Sequence, residues 1–270
     1  MKVSFITVCY RTPDLIRNLL RGVEDAKFSF PYEYFLVDNG DDGTAEMVEN
    51  LFPWVHVIKA GANLGFAKGN NLAIQKAQGE YIMLINPDLI VFPGEMEKLV
   101  TEADCQSDAA IFGPCLDTPN GTRQDTCTRF PSPLIPILNR TFLGKFSMGR
   151  RFLDHFHLRD VDMTHMLDVD SVYGAAMLIR RMALQKIGAF DERFFMYYED
   201  VDLCRRAWKA GWRVVWIPQA RFVHYHQRES SIRMPWEVLT NRLVRIHIKS
   251  AFQYFWKYRK EALPHRPHRS

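Results

Sequence analysis

Asp88 interrupts the stretch "YIMLINPDLIV", where an apolar run breaks at Asn86-Pro87-Asp88 and at once resumes. A carboxylate placed between apolar runs needs solvent, a hydrogen-bonded turn or a cation, because an isolated buried charge is very costly. A hard divalent ion, Mg2+ or Mn2+, suits a site of one carboxylate plus the phosphates of a ligand. The competing reading is a Pro87-Asp88 turn that caps the next helix. A second acidic group, Glu199, Asp200 and Asp202, lies in "YYEDVDLCRRAWK". At a helix start the free amides and the helix dipole favour negative charge, which accounts for one of the three. Asp202 with Arg205 or Arg206 at i+3 and i+4 reads as a surface pair. Asp200 and Glu199, beside the aromatic run "FFMYY", are candidates for a desolvated general base. His224 and His226 alternate, so on a strand they share a face that could meet a metal or a phosphate. For His226 a simple hydrogen bond is the favoured reading, and His155, His157 and His165 receive no role.

These residues need a scaffold, and the periodicity supplies one. "VSFITV" predicts a strand, followed by a helix in "PDLIRNLLRGVEDA", where Pro13 suits a helix start and Leu15, Ile16, Leu19, Leu20 and Val23 recur at helical spacing. A strand in "YEYFLVDNG" leads to a helix that Thr44 can cap, with Met47, Val48, Leu51 and Phe52 inward. Then follow a strand "VHVIKA", the turn "GANLGFAKGNN", a helix to Gln78 and the strand "YIMLI". Strands alternating with helices imply an α/β fold with a mostly parallel sheet covered on both faces. In such a sheet ligands bind beyond the carboxyl ends of the strands. Those ends carry Thr7 and Tyr10, Asp38 and Asn39, Asn63, and Asn86 with Asp88. The turn after the first strand, "CYRTPD", lacks the glycines of a dinucleotide fingerprint or a P-loop. "NLGFAKGNN" could bring backbone amides or Lys68 to a phosphate.

Beyond "AAIFGPCL" the pattern loosens into turn residues and a basic, His-bearing excursion to about Thr164. Order returns with "VDSVYGAAMLIRR", a helix around "MALQKIG", a helix from Glu199 to Lys209, a stop at Gly211 and a strand. The expected division is 1–115, the half whose strand ends carry the candidate ligand contacts; 116–234, a second half of the same domain that carries the acidic cluster; and 235–270, a basic aromatic helix and tail. With 270 residues and 47% hydrophobic composition the chain can build a sizeable core. Its five cysteines, Cys9, Cys105, Cys115, Cys127 and Cys204, lack paired C-x-x-C spacing and read as buried or free thiols. No apolar run reaches about 18 residues, and "MKVSFITVCY" turns polar too soon for a signal peptide. The expected compartment is the cytoplasm, with the inner face of the cell membrane as a peripheral site.

Six segments in order, "SFITVCYRTPD", "LVDNGDDGT", "NLGFAKGNN", "LINPDLIV", "GAAMLIRR" and "GAFDERFFMYYEDVDLCRRAWKAGWRVVWIPQARFVHYHQRES", resemble the inverting family-two glycosyltransferases of the A-type fold. The resemblance covers about residues 1–230 and points most to bacterial rhamnosyltransferases of surface polysaccharide assembly. It implies that Thr7, Asp38 and Asn39 contact the nucleoside, that Asn63, Gly65, Phe66, Lys68 and Asn70 line ribose and diphosphate, and that Asp88 holds the metal. The family's D-x-D is here Asn86-Pro87-Asp88, with an amide for the first carboxylate. His224 matches a further metal or diphosphate contact, and Asp200 the catalytic base. The implied donor is a nucleotide-sugar, dTDP-rhamnose first and a UDP- or GDP-hexose otherwise. The implied acceptor is a saccharide, free or on a polyprenyl diphosphate. A non-catalytic nucleotide-sugar-binding or membrane-surface protein is the alternative from another class.

The tail segment "PWEVLTNRLVRIHIKSAFQYFWKYRKEA" mixes Trp236, Phe252, Tyr254, Phe255, Trp256 and Tyr258 with Arg and Lys. One long helix from Pro235 is expected, lying in an anionic membrane interface or packing its aromatics on the catalytic body or on a second subunit of a homodimer. Net charge is only +4 and no reader motif is present, so no nucleic-acid partner is expected.

Overall fold

The computed structural model describes residues 1–139, 141–225 and 240–264. Strand β1 (Val3–Cys9), helix α1 (Pro13–Ala26), β2 (Tyr32–Asp38), α2 (Thr44–Leu51), β3 (Val55–Lys59), α3 (Gly65–Ile74) and β4 (Tyr81–Ile85) form three consecutive β-α units and a fourth strand. After them come β5 (Leu89–Ile90), α4 (Glu95–Cys105), β6 (Ala109–Asp117) and β7 (Cys127–Thr128). The excursion folds into α5 (Ile135–Leu138), a 3-10 turn (Phe142–Lys145) and α6 (Ser147–Phe156), more order than its composition implied. The chain continues through β8 (Leu167–Asp168), β9 (Ser171–Val172), β10 (Ala176–Arg180), α7 (Arg181–Ile187), α8 (Glu199–Lys209), β11 (Arg213–His224) and α9 (Arg242–Lys257).

The main sheet runs β3-β2-β1-β4-β10-β6-β11-β5, with β8 paired on β11. The first four strands and the β6–β11 pair are parallel; β10 is antiparallel to both its neighbours. Registers Cys9↔Asp38 and Asp38↔Lys59 align the carboxyl ends of β1, β2 and β3. Chain order turns back between β1 and β4, and a crevice opens at such a switch point. In β4, Tyr81, Met83 and Ile85 pack with α1 and α4 on one face, while Ile82 and Leu84 join Ala67, Val201 and Trp208 on the other. Apolar residues on both faces explain why "YIMLI" reads as a continuous run rather than an alternation.

Two local expectations are revised. Thr44 is the first helical residue of α2, Gly43 takes the cap at φ 79°, and the Thr44 hydroxyl donates to Asp42 instead. The third helix ends at Ile74, followed by a turn at Gln75 and Lys76, and stops short of Gln78. The tail helix begins at Arg242; the expected stretch from Pro235, with Trp236, lies outside the described residues, as does His226. Along α9 and its cap the aromatics divide: Tyr254 and the cap residue Tyr258 are buried on the body, whereas Phe252 and Trp256 stack on each other and face outward. Among the described residues no helix is long and apolar enough to cross a membrane. All five cysteines are free, four of them buried.

Candidate active site

A cleft of about 1240 Å³ lies over the β1/β4 switch point, lined by Tyr10, Asn39, Asn63, Gly65, Phe66, Asn86, Asp88 and His224 among others. A smaller cavity of about 530 Å³ beside it holds Glu199 and Asp200. The two are joined structurally in two places. Gln124 lines the smaller cavity and holds His224 of the larger cleft, and the Phe66 ring of the larger cleft lies against Gly174, next to Asp200.

Asp88 and His224 meet because β5 pairs with the end of β11, in the register His224↔Leu89, while the Tyr225 amide donates to the Asp88 carbonyl. His224 Nε2 lies 3.2 Å from Asp88 Oδ1. Gln124 settles the tautomer. Its amide nitrogen donates to the His224 carbonyl at 2.8 Å, so its oxygen faces His224 Nδ1 at 2.9 Å and requires a hydrogen there. Nε2 is therefore the ring nitrogen that faces the carboxylate. Together a carboxylate oxygen and a ring nitrogen at this distance offer two donor atoms to a divalent cation. Among the described residues no third His, Cys, Asp or Glu joins them, so this donor set fits an ion completed by ligand oxygens and water.

On the nucleoside side, Asn39 is 3% exposed; its Nδ2 donates to the Gly65 carbonyl at 3.1 Å, and its Oδ1 is an acceptor with no partner among the described residues. Asn63 Oδ1 accepts from the Gly65 amide at 3.0 Å, shaping the turn into α3. Gly65 has φ 78°, and a Cβ there would stand 2.2 Å from the Phe195 carbonyl oxygen, which receives the Phe66 amide. Gly65→Ala is expected to cost about 1–3 kcal/mol of stability and to weaken donor binding, measured by denaturant midpoint and nucleotide titration; an unchanged midpoint would contradict the close approach.

Four predicted ligand contacts lie off the cleft. Thr7 is fully buried, its hydroxyl bonded to Tyr34 Oη at 2.7 Å and to the Ile85 carbonyl at 2.8 Å, so it ties β1 to β2 and β4. Asp38 accepts from the Gly40 and Ala45 amides and so braces the loop into α2. Asn70 donates back to the Phe66 carbonyl within α3, and Lys68 is exposed outside the lining of either cavity.

The acidic cluster divides in three. Asp200 Oδ2 accepts from the Gly174 amide at 3.1 Å and Oδ1 from the Val201 amide at 2.8 Å. Burial raises its carboxyl above the ordinary range, against the pull of those amides. Glu199 is more deeply buried and is raised further, by burial first and by the Asp200 charge second, and its Oε2 has no hydrogen-bond partner among the described residues. Asp202 is not a surface residue: it is 0% exposed and bonds Arg206 Nε at 2.8 Å, Tyr258 Oη at 2.8 Å and Lys257. Tyr197 and Tyr198, with φ 73° and 70°, turn the chain into α8 and present Glu199 and Asp200 in its first turn. Strain of this kind, in two successive residues with side chains, accompanies functional sites. Sequence reasoning missed Gln124, Gly174 and this turn; Gln124 lies a hundred positions from His224, and only the sheet connects them.

The sequence matches the model of glycosyl transferase family 2 over residues 4–188, and that of glycosyl transferase family group 2 over 132–245. The chain belongs to glycosyl transferase family 2. Similar to this glycosyltransferase is an N-acetylglucosaminyl-diphospho-decaprenol L-rhamnosyltransferase of Mycobacterium tuberculosis, 32% identical over 76% of this chain and 70% of the relative. Rhamnosyltransferase WbbL of Escherichia coli is 25% identical over 95% and 94% of the two chains. Among solved structures, GalNAc-T7 with UDP, GalNAc and Mn2+ superposes with TM-score 0.66 at 14% identity, over 97% of this chain but only 48% of that one. Mannosyltransferase PcManGT from Pyrobaculum calidifontis, with GDP-Man and Mn2+, gives 0.61 at 15% identity, over 97% and 66%. These likenesses bear out the A-type glycosyltransferase fold, and the mostly parallel sheet with its flanking helices is its framework.

Proposed function

We propose that this glycosyltransferase moves L-rhamnose from dTDP-rhamnose, with inversion, to a hydroxyl of a lipid-linked saccharide in bacterial surface polysaccharide synthesis. The observation that carries the reading is Asp200: a carboxylate fixed by two amides, kept basic by burial, at the wall between a cleft suited to a nucleotide and a separate cavity suited to an acceptor. The rhamnosyl donor rests on the two relatives above, and GDP- and UDP-hexoses are the competing donors.

Asn39 offers its free Oδ1 to an N–H of the base, and the turn from Asn63 to Phe66 bounds the ribose and diphosphate. Asp88 and His224 Nε2 would hold a divalent cation, Mg2+ or Mn2+. When bound, such an ion neutralises charge developing on the diphosphate oxygens. Asp200 takes the proton of the acceptor hydroxyl as it attacks the anomeric carbon, and the glycosidic bond to the diphosphate breaks on the opposite face. One displacement inverts the anomeric configuration.

The test is nucleoside diphosphate release from dTDP-rhamnose, UDP-glucose, UDP-galactose and GDP-mannose with a lipid-acceptor extract, with and without each metal. Turnover of dTDP-rhamnose above the others supports the reading, and preference for a UDP- or GDP-sugar overturns the donor assignment. Gln124→Leu removes both the tautomer lock and the hold on the His224 carbonyl. It should raise the half-saturating metal concentration by roughly 10–100-fold. A metal titration unchanged in this variant would remove Gln124 from the site.

A further inference from the structure

The outer wall of the smaller cavity carries a feature the reaction does not use. Ile135, Pro136 and Phe156, from α5 and α6, face the cavity that holds Asp200. The short helices of this wall pack closely because two positions lack side chains: a Cβ at Gly144 would lie 2.3 Å from the Leu138 carbonyl oxygen, and one at Gly149 2.1 Å from that of Leu143. With the interior filled by backbone, the large side chains turn outward. Leu134, Ile137, Phe142, Phe146, Met148 and Phe152 are between 47% and 80% exposed, and the rings of Phe142 and Phe146 meet edge to face at 5.9 Å. A group of this size on one short segment marks a surface that something covers.

Its charge says what. The sequence from 126 to 153 holds five Arg or Lys and no Asp or Glu, and Lys145, Arg150 and Arg151 are exposed among the apolar side chains. Of the bordering carboxylates, Asp125 and Asp154 pair with Arg159, and Asp160 pairs with Arg129 at the edge of the segment rather than with Lys145, Arg150 or Arg151. An acidic protein would match the charge but not the spread of aromatic and aliphatic side chains, and a second copy would set like charges together. Anionic headgroups over an acyl layer match both. We propose that the α5–α6 wall is the surface by which the protein seats on an anionic lipid bilayer, which sets the smaller cavity beside the headgroups. The purpose of this arrangement rests on the proposed lipid-linked acceptor. The outward stripe of α9, Ile248, Phe252 and Trp256, is narrower, and the Arg259 guanidinium lies 4.1 Å over the Trp256 ring.

The full chain is sedimented with vesicles of phosphatidylcholine alone or with one quarter phosphatidylglycerol. The expected result is binding to the anionic vesicles, weakened by salt, and reduced by about tenfold or more when Phe142, Phe146 and Phe152 are all changed to Glu. A second variant, Lys145→Glu with Arg150→Glu and Arg151→Glu, should lose binding with an unchanged circular dichroism spectrum. Phe252→Ser with Trp256→Ser should bind like the parent. Binding that survives both wall variants, or that disappears only with the α9 variant, overturns the proposal. So does a dimer in sedimentation velocity that the Phe variant dissolves while vesicle binding is absent. Vesicle binding is read without donor or acceptor, so its outcome is independent of whether the rhamnosyl reaction is correct.

Discussion

Asp200→Asn is expected to lower nucleoside diphosphate release by about 10²–10⁴-fold at saturating donor while donor affinity stays within a few-fold of the parent. Asn keeps the volume, but its one oxygen can accept from only one of the two amides that reach separate oxygens of Asp200, Gly174 at Oδ2 and Val201 at Oδ1, so a denaturant midpoint close to the parent's is the control that separates lost proton acceptance from a loosened turn. Glu199→Gln supplies the contrast. Burial and the Asp200 charge both favour the protonated form of Glu199, and the amide mimics that form. That variant should retain most of the activity. If Glu199→Gln were the inactive one and Asp200→Asn the active one, the roles would be exchanged.

The same pair sets the pH dependence. The base must be ionised, and burial raises Asp200, so kcat/KM should climb through an acid limb that lies above the ordinary carboxylate range. Stability moves the other way. Both carboxyls hold their protons more tightly folded than unfolded, so their contribution is fully present below the unfolded values and is lost as pH rises through the folded ones. Denaturant midpoints across that range should therefore fall less steeply in Glu199→Gln than in the parent, and equal slopes would contradict the burial of Glu199.

Much of this arrangement was legible in the chain, for physical reasons that also explain the rest. The strands β1 to β4 and the start of α8 at Glu199 announce themselves through local periodicity, charge and turn chemistry, which need no knowledge of distant residues. Strand-end position alone, however, does not say which way a side chain points. Thr7 and Asp38 sit at the right ends yet turn inward, because Tyr34, Ile85 and two loop amides satisfy them there. Lys68 lies in the right turn yet occupies the outer face of α3. The excursion misled in the opposite sense: its turn-rich composition hid helices that depend on Gly144 and Gly149 for close packing, a tertiary property with no local signature.

Asp202 shows the cost of reading spacing without burial, and it yields the largest stability effect. The i+4 relation to Arg206 predicts a few tenths of a kcal/mol on a surface, but here the carboxylate is fully buried between α8 and α9. Its removal in Asp202→Ala strands Tyr258 Oη and takes one counter-charge from both Arg206 and Lys257, an expected loss of about 3–5 kcal/mol in unfolding free energy. Lys257→Met should cost less, since Arg206 and Tyr258 still serve the carboxylate while Asp191 keeps Arg193. The double variant should lose less than the sum, because neither partner is then left buried against an absent one. Asp202 stands two residues after Asp200 on the same helix turn, so Asp202→Ala should also loosen the proposed base and speed amide exchange in α9. A midpoint within 1 kcal/mol of the parent, or strict additivity in the cycle, would mean that α9 is held by Tyr254 and its apolar contacts alone, and that the buried ion pair contributes nothing to setting Asp200 in place.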